Sequence, residues 1–349
     1  MRQFDYTHVP EGLLTSETMN LLAAVHEYRG RQASYLTAKQ DILDSLVEVA
    51  RVQSTEASNR IEGIRTTEKR LRDIMADKTD PKSRDEEEIA GYRDVLEAIH
   101  ESHDYIDVTP NVILQLHRNM YRHTPSPMGG HFKVGDNEIR GIRPDGTDYV
   151  RFKTTPAVAT ADAMDRLCAA LRKGLATDGC DPLIVSLIFV FDFTCVHPFN
   201  DGNGRMSRLL TLLLLYKANY DVGKYISIEK EIERTKGSYY DALAASSHGW
   251  NEGANDPGPF VRYMLGVILA CYRDLDNRIS VVVSAKLSKA ERVESYLRES
   301  IGKTTKADIL AACPDISKIT VERALRELAA AGRIAKVGSG RTTGYVWKG

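Results

Sequence analysis

His197-Pro198-Phe199-Asn200-Asp201-Gly202-Asn203-Gly204-Arg205-Met206-Ser207-Arg208 joins two strongly apolar stretches, Pro182 to Val196 before it and Leu209 to Ala218 after it. Length and hydrophobicity make each flank a buried helix, so the fold is built around helix, loop, helix. The second helix must open near the glycines. A helix N-terminus offers unpaired N–H groups and a positive dipole end, which attract anions. Gly202 and Gly204 let the backbone approach an anion closely and adopt positive φ. Arg205 and Arg208, three apart, can share one helix face. An Asp-Gly-Asn-Gly run alone is more often a turn, and the later carboxylates of an EF-hand loop are missing. No folding requirement, however, gathers His, Asp, Asn and two Arg within twelve residues beside so apolar a helix. The combination reads as a phosphate site with a proton acceptor and a metal-binding carboxylate beside it.

The segment HPFNDGNGRMSR resembles the signature of the Fic family, HxFxDGNGRxxR, at every specified position. The likeness extends over roughly Asn111 to Tyr272 and more loosely toward the N-terminus. It implies a mainly helical fold and, for most members, transfer of AMP from ATP to a hydroxyl of a protein side chain. On that resemblance His197 is the base for the incoming Ser, Thr or Tyr hydroxyl, a role suited to a neutral imidazole. Asp201 would hold Mg²⁺ against the α- and β-phosphates, since magnesium usually takes one or two carboxylates plus phosphate oxygens. Gly202, Asn203 and Gly204 would line the anion hole. Arg205 and Arg208 would neutralise the polyphosphate, with Arg208 on the γ-phosphate. Phe199 reads as a packing anchor under the loop.

Ser58-Asn59-Arg60-Ile61-Glu62-Gly63 resembles the family's inhibitory motif, [S/T]xxxE[G/N]. Thr7-His8-Val9-Pro10-Glu11-Gly12 matches the same short pattern, but Pro10 keeps it out of a helix interior. The second match ends a periodic stretch, Ala38 to Ile61, with Ile42, Leu46, Val49 and Val52 at helical spacing. Gly63 falls where a helix C-cap belongs. The resemblance implies that Glu62 pairs with Arg208 and blocks productive placement of the γ-phosphate, with Ser58 opening the motif. Without it, Glu62 is a solvated carboxylate at a helix end.

Two further stretches bear on the site. Met128 to Phe152 carries Gly129, Gly130, Gly135, Gly141, Pro144, Asp145 and Gly146, with short polar–apolar alternation that suggests a small hairpin. Family members place a flap there that aligns an extended target segment by strand pairing. Their flaps often carry Arg near its start, where this chain has Lys133. Tyr239-Tyr240-Asp241-Ala242-Leu243 is similar to the family's YYxAL stretch, whose tyrosines border the adenine pocket. An aromatic face suits a purine.

The 349 residues allow two or three domains. A formal net charge of −1 demands neither nucleic acid nor membrane as a partner. Leu209–Leu215 is too short for a membrane span, and the start, MRQFDYTHVP, lacks the apolar core of a signal peptide. The five cysteines at irregular spacing suggest neither disulfides nor a zinc site, so a reducing cytoplasm is expected. Capping signals at Ser83 with Glu86, Thr109-Pro110 and Thr155-Pro156 open three helices. Phe260 to Ile279 forms another. From Ser288 to Gly349 the chain turns basic, with twelve Lys or Arg against seven Asp or Glu. Helices over Lys289–Ser300, Lys306–Cys313 and Thr320–Ala331, followed by a hairpin to Trp347, resemble a winged helix. Lys318, Arg323, Arg326 and Arg341 could meet phosphates there, although Glu322 and Glu327 dilute the third helix.

The sequence thus predicts a mainly α protein. Its parts are an N-terminal helical region (1–110), a helical core with a β-hairpin flap (111–280) and a C-terminal winged-helix-like domain (281–349). The expected function is protein adenylyl transfer from ATP with Mg²⁺, restrained by Glu62, in a homodimer. DNA binding through the C-terminal domain is disfavoured. The alternatives are a nucleotide-sensing transcriptional regulator, or an enzyme of the same type that removes AMP.

Overall fold

The computed structural model describes residues 3–36, 40–125, 129–142, 145–283, 288–300, 302–340 and 343–348. Of the positions named above, Ala38, Met128, Pro144 and Arg341 lie outside the described residues. The N-terminal helices are α1 (Ser16–Leu36), α2 (Gln40–Ile61), α3 (Glu68–Met75), α4 (Arg84–Ser102) and α5 (Pro110–Met120). A hairpin of β1 (Glu138–Ile142) and β2 (Asp148–Lys153) follows. Next come α6 (Ala157–Leu175), α7 (Pro182–Val196), α8 (Asn203–Lys217), α9 (Val222–Tyr225), α10 (Ile228–Arg234), α11 (Lys236–Ser247) and α12 (Gly258–Val283). The chain closes with α13 (Lys289–Glu299), α14 (Lys306–Ala312), α15 (Lys318–Ala330) and a second hairpin, β3 (Ile334–Val337) with β4 (Gly344–Trp347). α12 runs through position 280, so the break placed there from the sequence falls inside its last turn.

α7 is the axis of the core. It packs against α6, α8 and α12 and is buried on all sides, which is why its sequence shows no polar face. Each Leu or Phe buried there contributes roughly 1.5–3 kcal/mol. Asp181 caps its first turn by accepting from Leu183 N at 2.8 Å. The one carboxylate within α7, Asp192, is buried and accepts from Tyr6 Oη at 2.7 Å and Trp250 Nε1 at 2.6 Å. Two distant segments are thereby fastened to the helix that leads into the signature loop.

Two of the expected caps differ in detail. Ser83 accepts from Glu86 N at 3.3 Å, but the Glu86 carboxylate turns to Arg70 and the Lys82 amide instead of closing a box. Pro156, not Thr155, occupies the N-cap of α6, and no side chain of its own caps the helix. Asp136 reaches over from the approach to the flap and accepts from Ala157 N at 2.7 Å. A cap supplied from twenty-one positions away leaves no local signature.

The C-terminal helices and β3–β4 close around a separate cluster that includes Val293, Leu297, Ile309, Val321, Leu325 and Ile334. Thr304 bridges to Tyr345 and adds a third backbone segment to that hairpin. Arg278 of α12, buried and ion-paired to Asp274 at 2.7 Å, donates to Ala311 O at 3.2 Å and so joins the cluster to the core. Among the described residues no helix is long and apolar enough to cross a membrane.

Candidate active site

The last turn of α7 ends on His197, whose backbone is left-handed at φ 51°. Histidine adopts that region more readily than most side chains, at some cost. The turn lets the chain leave the helix abruptly while the ring stays beside it. His197 Nδ1 is 3.2 Å from Thr194 O. A carbonyl only accepts, so Nδ1 carries the proton and Nε2 is the basic nitrogen of the neutral ring. Burial lowers the pKa of His197 to about 4, so the neutral form persists well below pH 7.

The loop after His197 is held from within. Asn203 clasps Phe199 from both sides, accepting from its N–H at 2.9 Å and donating to its carbonyl at 2.8 Å. Phe199 is fully buried and stacks on His117 at 3.7 Å between ring centres, in keeping with its expected anchoring role. Gly202 takes φ 81° at the N-cap of α8. A side chain there would also press on Met120 and Tyr121. With glycine at the cap, no capping side chain accepts from the first N–H groups of α8. That open N-terminus is the anion-attracting feature the sequence implied.

A cavity of about 240 Å³ opens beside this turn. His197, Asn203, Gly204, Arg208, Tyr239 and Tyr240 all line it, as does Glu62. Three other signature residues stand elsewhere. Gly202 serves as the cap behind the cavity wall. Arg205 is fully buried on the far side of α8, paired with Glu88 at 2.6 Å and donating to Tyr121 Oη at 2.8 Å. The expected sharing of one face by the two arginines does not occur: a step of three rotates Arg205 toward α4, and Arg208 alone faces the cavity. Asp201 also lies off the cavity wall. Its Oδ1 accepts from Gly202 N at 2.7 Å, and its Oδ2 lies 3.6 Å from Arg84.

Arg208 is buried and held on several sides. Nε donates to Ser58 Oγ at 2.9 Å, and Nη2 donates to Ser58 O at 2.9 Å and to Glu62 Oε1 at 2.7 Å. Burial disfavours its charge, but the Glu62 carboxylate more than offsets this and holds the guanidinium pKa above its ordinary value. Glu62 sits one residue past the end of α2, where Gly63 turns the chain at φ 86°. A methyl group on Gly204 would overlap Glu62 Oε1, so the carboxylate rests directly against the first turn of α8. The earlier match at Thr7–Gly12 lies in irregular structure, as Pro10 requires.

The flap contributes a residue the sequence reading passed over. Arg151, on β2, lines the cavity and donates to Tyr240 O at 3.3 Å. Its buried Nε has no hydrogen-bond partner among the described residues. The alternation Tyr149-Val150-Arg151-Phe152 was the available signal: Phe152 is buried on one face of the strand, which turns Arg151 to the other. Lys133, by contrast, is buried and stays out of the cavity. It donates to Asn137 Oδ1 and Thr154 Oγ1 at 2.8 Å and to Val196 O at 3.2 Å. Burial lowers its pKa to about 8.

A nucleotide and magnesium can be tested against these groups. The cavity offers an uncapped helix start, one guanidinium beside it and two aromatic rings, which suits a purine joined to phosphates. Among the described residues no three His, Cys, Asp or Glu gather to hold a metal unaided. Asp201, half exposed at the loop's edge, supplies one hard oxygen donor. That set fits a cation whose other ligands are phosphate and water.

Comparison with known proteins finds sequence relatives and solved structures of the same fold. The Fic/DOC family model matches residues 107–215. Proteins named protein adenylyltransferase Fic from Drosophila sechellia and Drosophila melanogaster are each 29% identical over 283 residues, covering 78% of this chain and 51% of theirs. The chain therefore spans about half the length of the curated relatives it matches. A solved Fic family protein from Desulfovibrio desulfuricans G20 shares the fold at a TM-score of 0.62 and 21% identity, covering 98% of this chain and 99% of its own. Fic-1 from C. elegans shares it at a TM-score of 0.58 and 20% identity over 76% of this chain and 73% of its own.

Proposed function

We propose, from the match of residues 107–215 to the Fic/DOC family model, that the chain is a protein adenylyltransferase restrained by its own Glu62. The observation that carries the proposal is the seating of the Glu62 carboxylate on Arg208 and Gly204, in the cavity that His197 also lines. In the reaction, His197 Nε2 takes the proton of a Ser, Thr or Tyr hydroxyl. Its oxygen attacks the α-phosphorus of ATP, the bond to the β-phosphate oxygen breaks, and pyrophosphate leaves. The first N–H groups of α8 and Arg208 offset the phosphate charge. Asp201 is the residue that would hold Mg²⁺, which supplies further charge neutralisation at the phosphates. Tyr239 and Tyr240 border the adenine.

With Glu62 seated, an anion already occupies the place of a phosphate, and Arg208 is committed to it. Activity then requires Glu62 to leave. The same proposal takes the three parts 1–110, 111–280 and 281–349 as a restraining region, a catalytic core and a winged-helix-like appendage, in a cytoplasmic homodimer.

The test is AMP incorporation from α-labelled ATP with Mg²⁺, comparing wild type, Glu62→Gly and Glu62→Gly/His197→Ala. Glu62→Gly should label roughly tenfold or more above wild type, as removal of a competing bound state predicts. The double variant should lose about 10²–10⁴ of that rate, the usual contribution of a general base. No label on any of the three would sink adenylyl transfer.

A further inference from the structure

The flap departs from regular pairing at one residue. Ile139 stands opposite Phe152 and Arg140 opposite Val150, so Arg151 is an extra residue on β2 with no partner on β1. Such a bulge bends the strand and re-aims a side chain, and bulges recur beside active sites. Here the bulged side chain lines the same cavity as His197, Arg208 and Tyr240. Its surroundings differ from those of the two signature arginines. Arg208 has the Glu62 carboxylate at 2.7 Å, and Arg205 has Glu88 at 2.6 Å. Arg151 is half-buried and, among the described residues, has only a neutral acceptor, Tyr240 O at 3.3 Å. Its Nε is buried with no acceptor among them. A cation withdrawn from water without a carboxylate is costly, and a bound anion offsets that cost.

We propose that Arg151 is a ligand of the α-phosphate, supplied by the flap. The bond to Tyr240 O fixes where the guanidinium stands, at the part of the cavity bordered by Tyr240, beside the proposed place of the adenine. The α-phosphate is the phosphate nearest the nucleoside, so a cation fastened there meets it before the outer two. Arg208, on α8, is left to the outer phosphates, and the two guanidiniums divide the chain between them. The α-phosphate is also where the incoming hydroxyl oxygen attacks, and a donor already held in place offsets the charge that develops on its oxygens. At His197, burial is the chief cause of the lowered pKa, and the positive charges of Lys133 and Arg151 add to it. The charge that holds the phosphate thus also favours the neutral base.

This inference rests on the reading of the cavity as an adenine-nucleotide site. Adenosine, AMP and ATP affinities are measured by calorimetry in the Glu62→Gly protein, alone and with Arg151→Gln or Arg151→Lys added, alongside thermal melting. Arg151→Gln should weaken AMP and ATP by the same factor, about tenfold, the usual cost of losing one charge-assisted hydrogen bond, and leave adenosine unchanged. Arg151→Lys, which keeps the charge, should lose less. AMP affinity unchanged in Arg151→Gln, as for an arginine that meets the protein target instead, would overturn the assignment. So would a loss confined to ATP, which would put Arg151 on the outer phosphates, or an equal loss of adenosine in both variants, which would make Arg151 a strut of the pocket. A parent that binds neither AMP nor ATP would overturn the nucleotide reading itself, and the assignment with it.

Discussion

At the scale of single residues, His197 carries the most specific expectation. Its pKa is lowered to about 4 by burial, so the imidazole stays neutral where a free one is charged. In the Glu62→Gly protein, AMP incorporation should therefore hold nearly level from pH 7 down to about 5, whereas an ordinary imidazole titrates near 6.5. Half-loss of rate at pH 6.5 on initial-rate assays would contradict the burial argument. Gly204 carries a second expectation. A methyl group at this position meets the Glu62 carboxylate, and any phosphate that replaces the carboxylate meets the same methyl. Gly204→Ala should therefore impair ATP binding even when combined with Glu62→Gly, as calorimetry would show. Residue identities were legible where chemistry is dense: His197, Asn203, Gly204, Arg208 and Glu62 meet around one cavity, as expected. Arg205 was misread because a spacing of three says only that two side chains can be neighbours; Glu88 and Tyr121 decide which way it turns.

Among elements, the approach to the hairpin β1–β2 is held by a charge whose direction the sequence could not give. Lys133 is a buried clamp between the approach to the flap and the C-terminal end of α7. Lys133→Met leaves Asn137, Thr154 and Val196 O without that donor and should cost about 1–3 kcal/mol of stability. Chemical denaturation reads this directly, and an unchanged midpoint would show that water replaces the ammonium without loss. The helices themselves were readable from apolar periodicity and from a cap that lies next to the helix it serves, as at Thr109. What escaped was capping at a distance. Asp136 serves α6 from the far side of the flap, a contact that only the finished fold creates.

For the whole molecule, acidification has a definite sign. His100, His117 and His197 have pKa values lowered to about 3, 4 and 4, in each case first by burial. Between pH 6.5 and about 4 the unfolded chain binds protons at these sites that the folded chain refuses. Stability is therefore fully present above pH 6.5 and falls as the pH drops toward 4, by up to about 1.4 kcal/mol per pH unit for each imidazole. Urea midpoints at pH 7 and pH 5 test this, and a midpoint higher at pH 5 would refute it. A change of character after Ser288 was legible in the composition, and the structure has a separate apolar cluster there. The attachment of that cluster to the core was not, because it runs in part through Arg278, a buried guanidinium that the sequence does not set apart from the other charged residues of α12.

The position of Glu62 just past the end of α2 has a quantitative consequence. Its helix is tied down by Lys236, which donates to Ile61 O at 2.6 Å, and by Arg60, 3.2 Å from Glu233. The carboxylate is thus a tethered ligand, present at its site at an effective concentration that for short tethers reaches the millimolar range. On the proposed restraint, ATP competing with it would face an apparent dissociation constant multiplied by one plus the ratio of occupied to vacant seats. Dilution cannot lower that ratio, because the competitor travels with the chain. On that reading a change that lifts the end of α2 away from α8 and α11 would, so throughput would be set by the geometry of one helix end and not by how much protein is present.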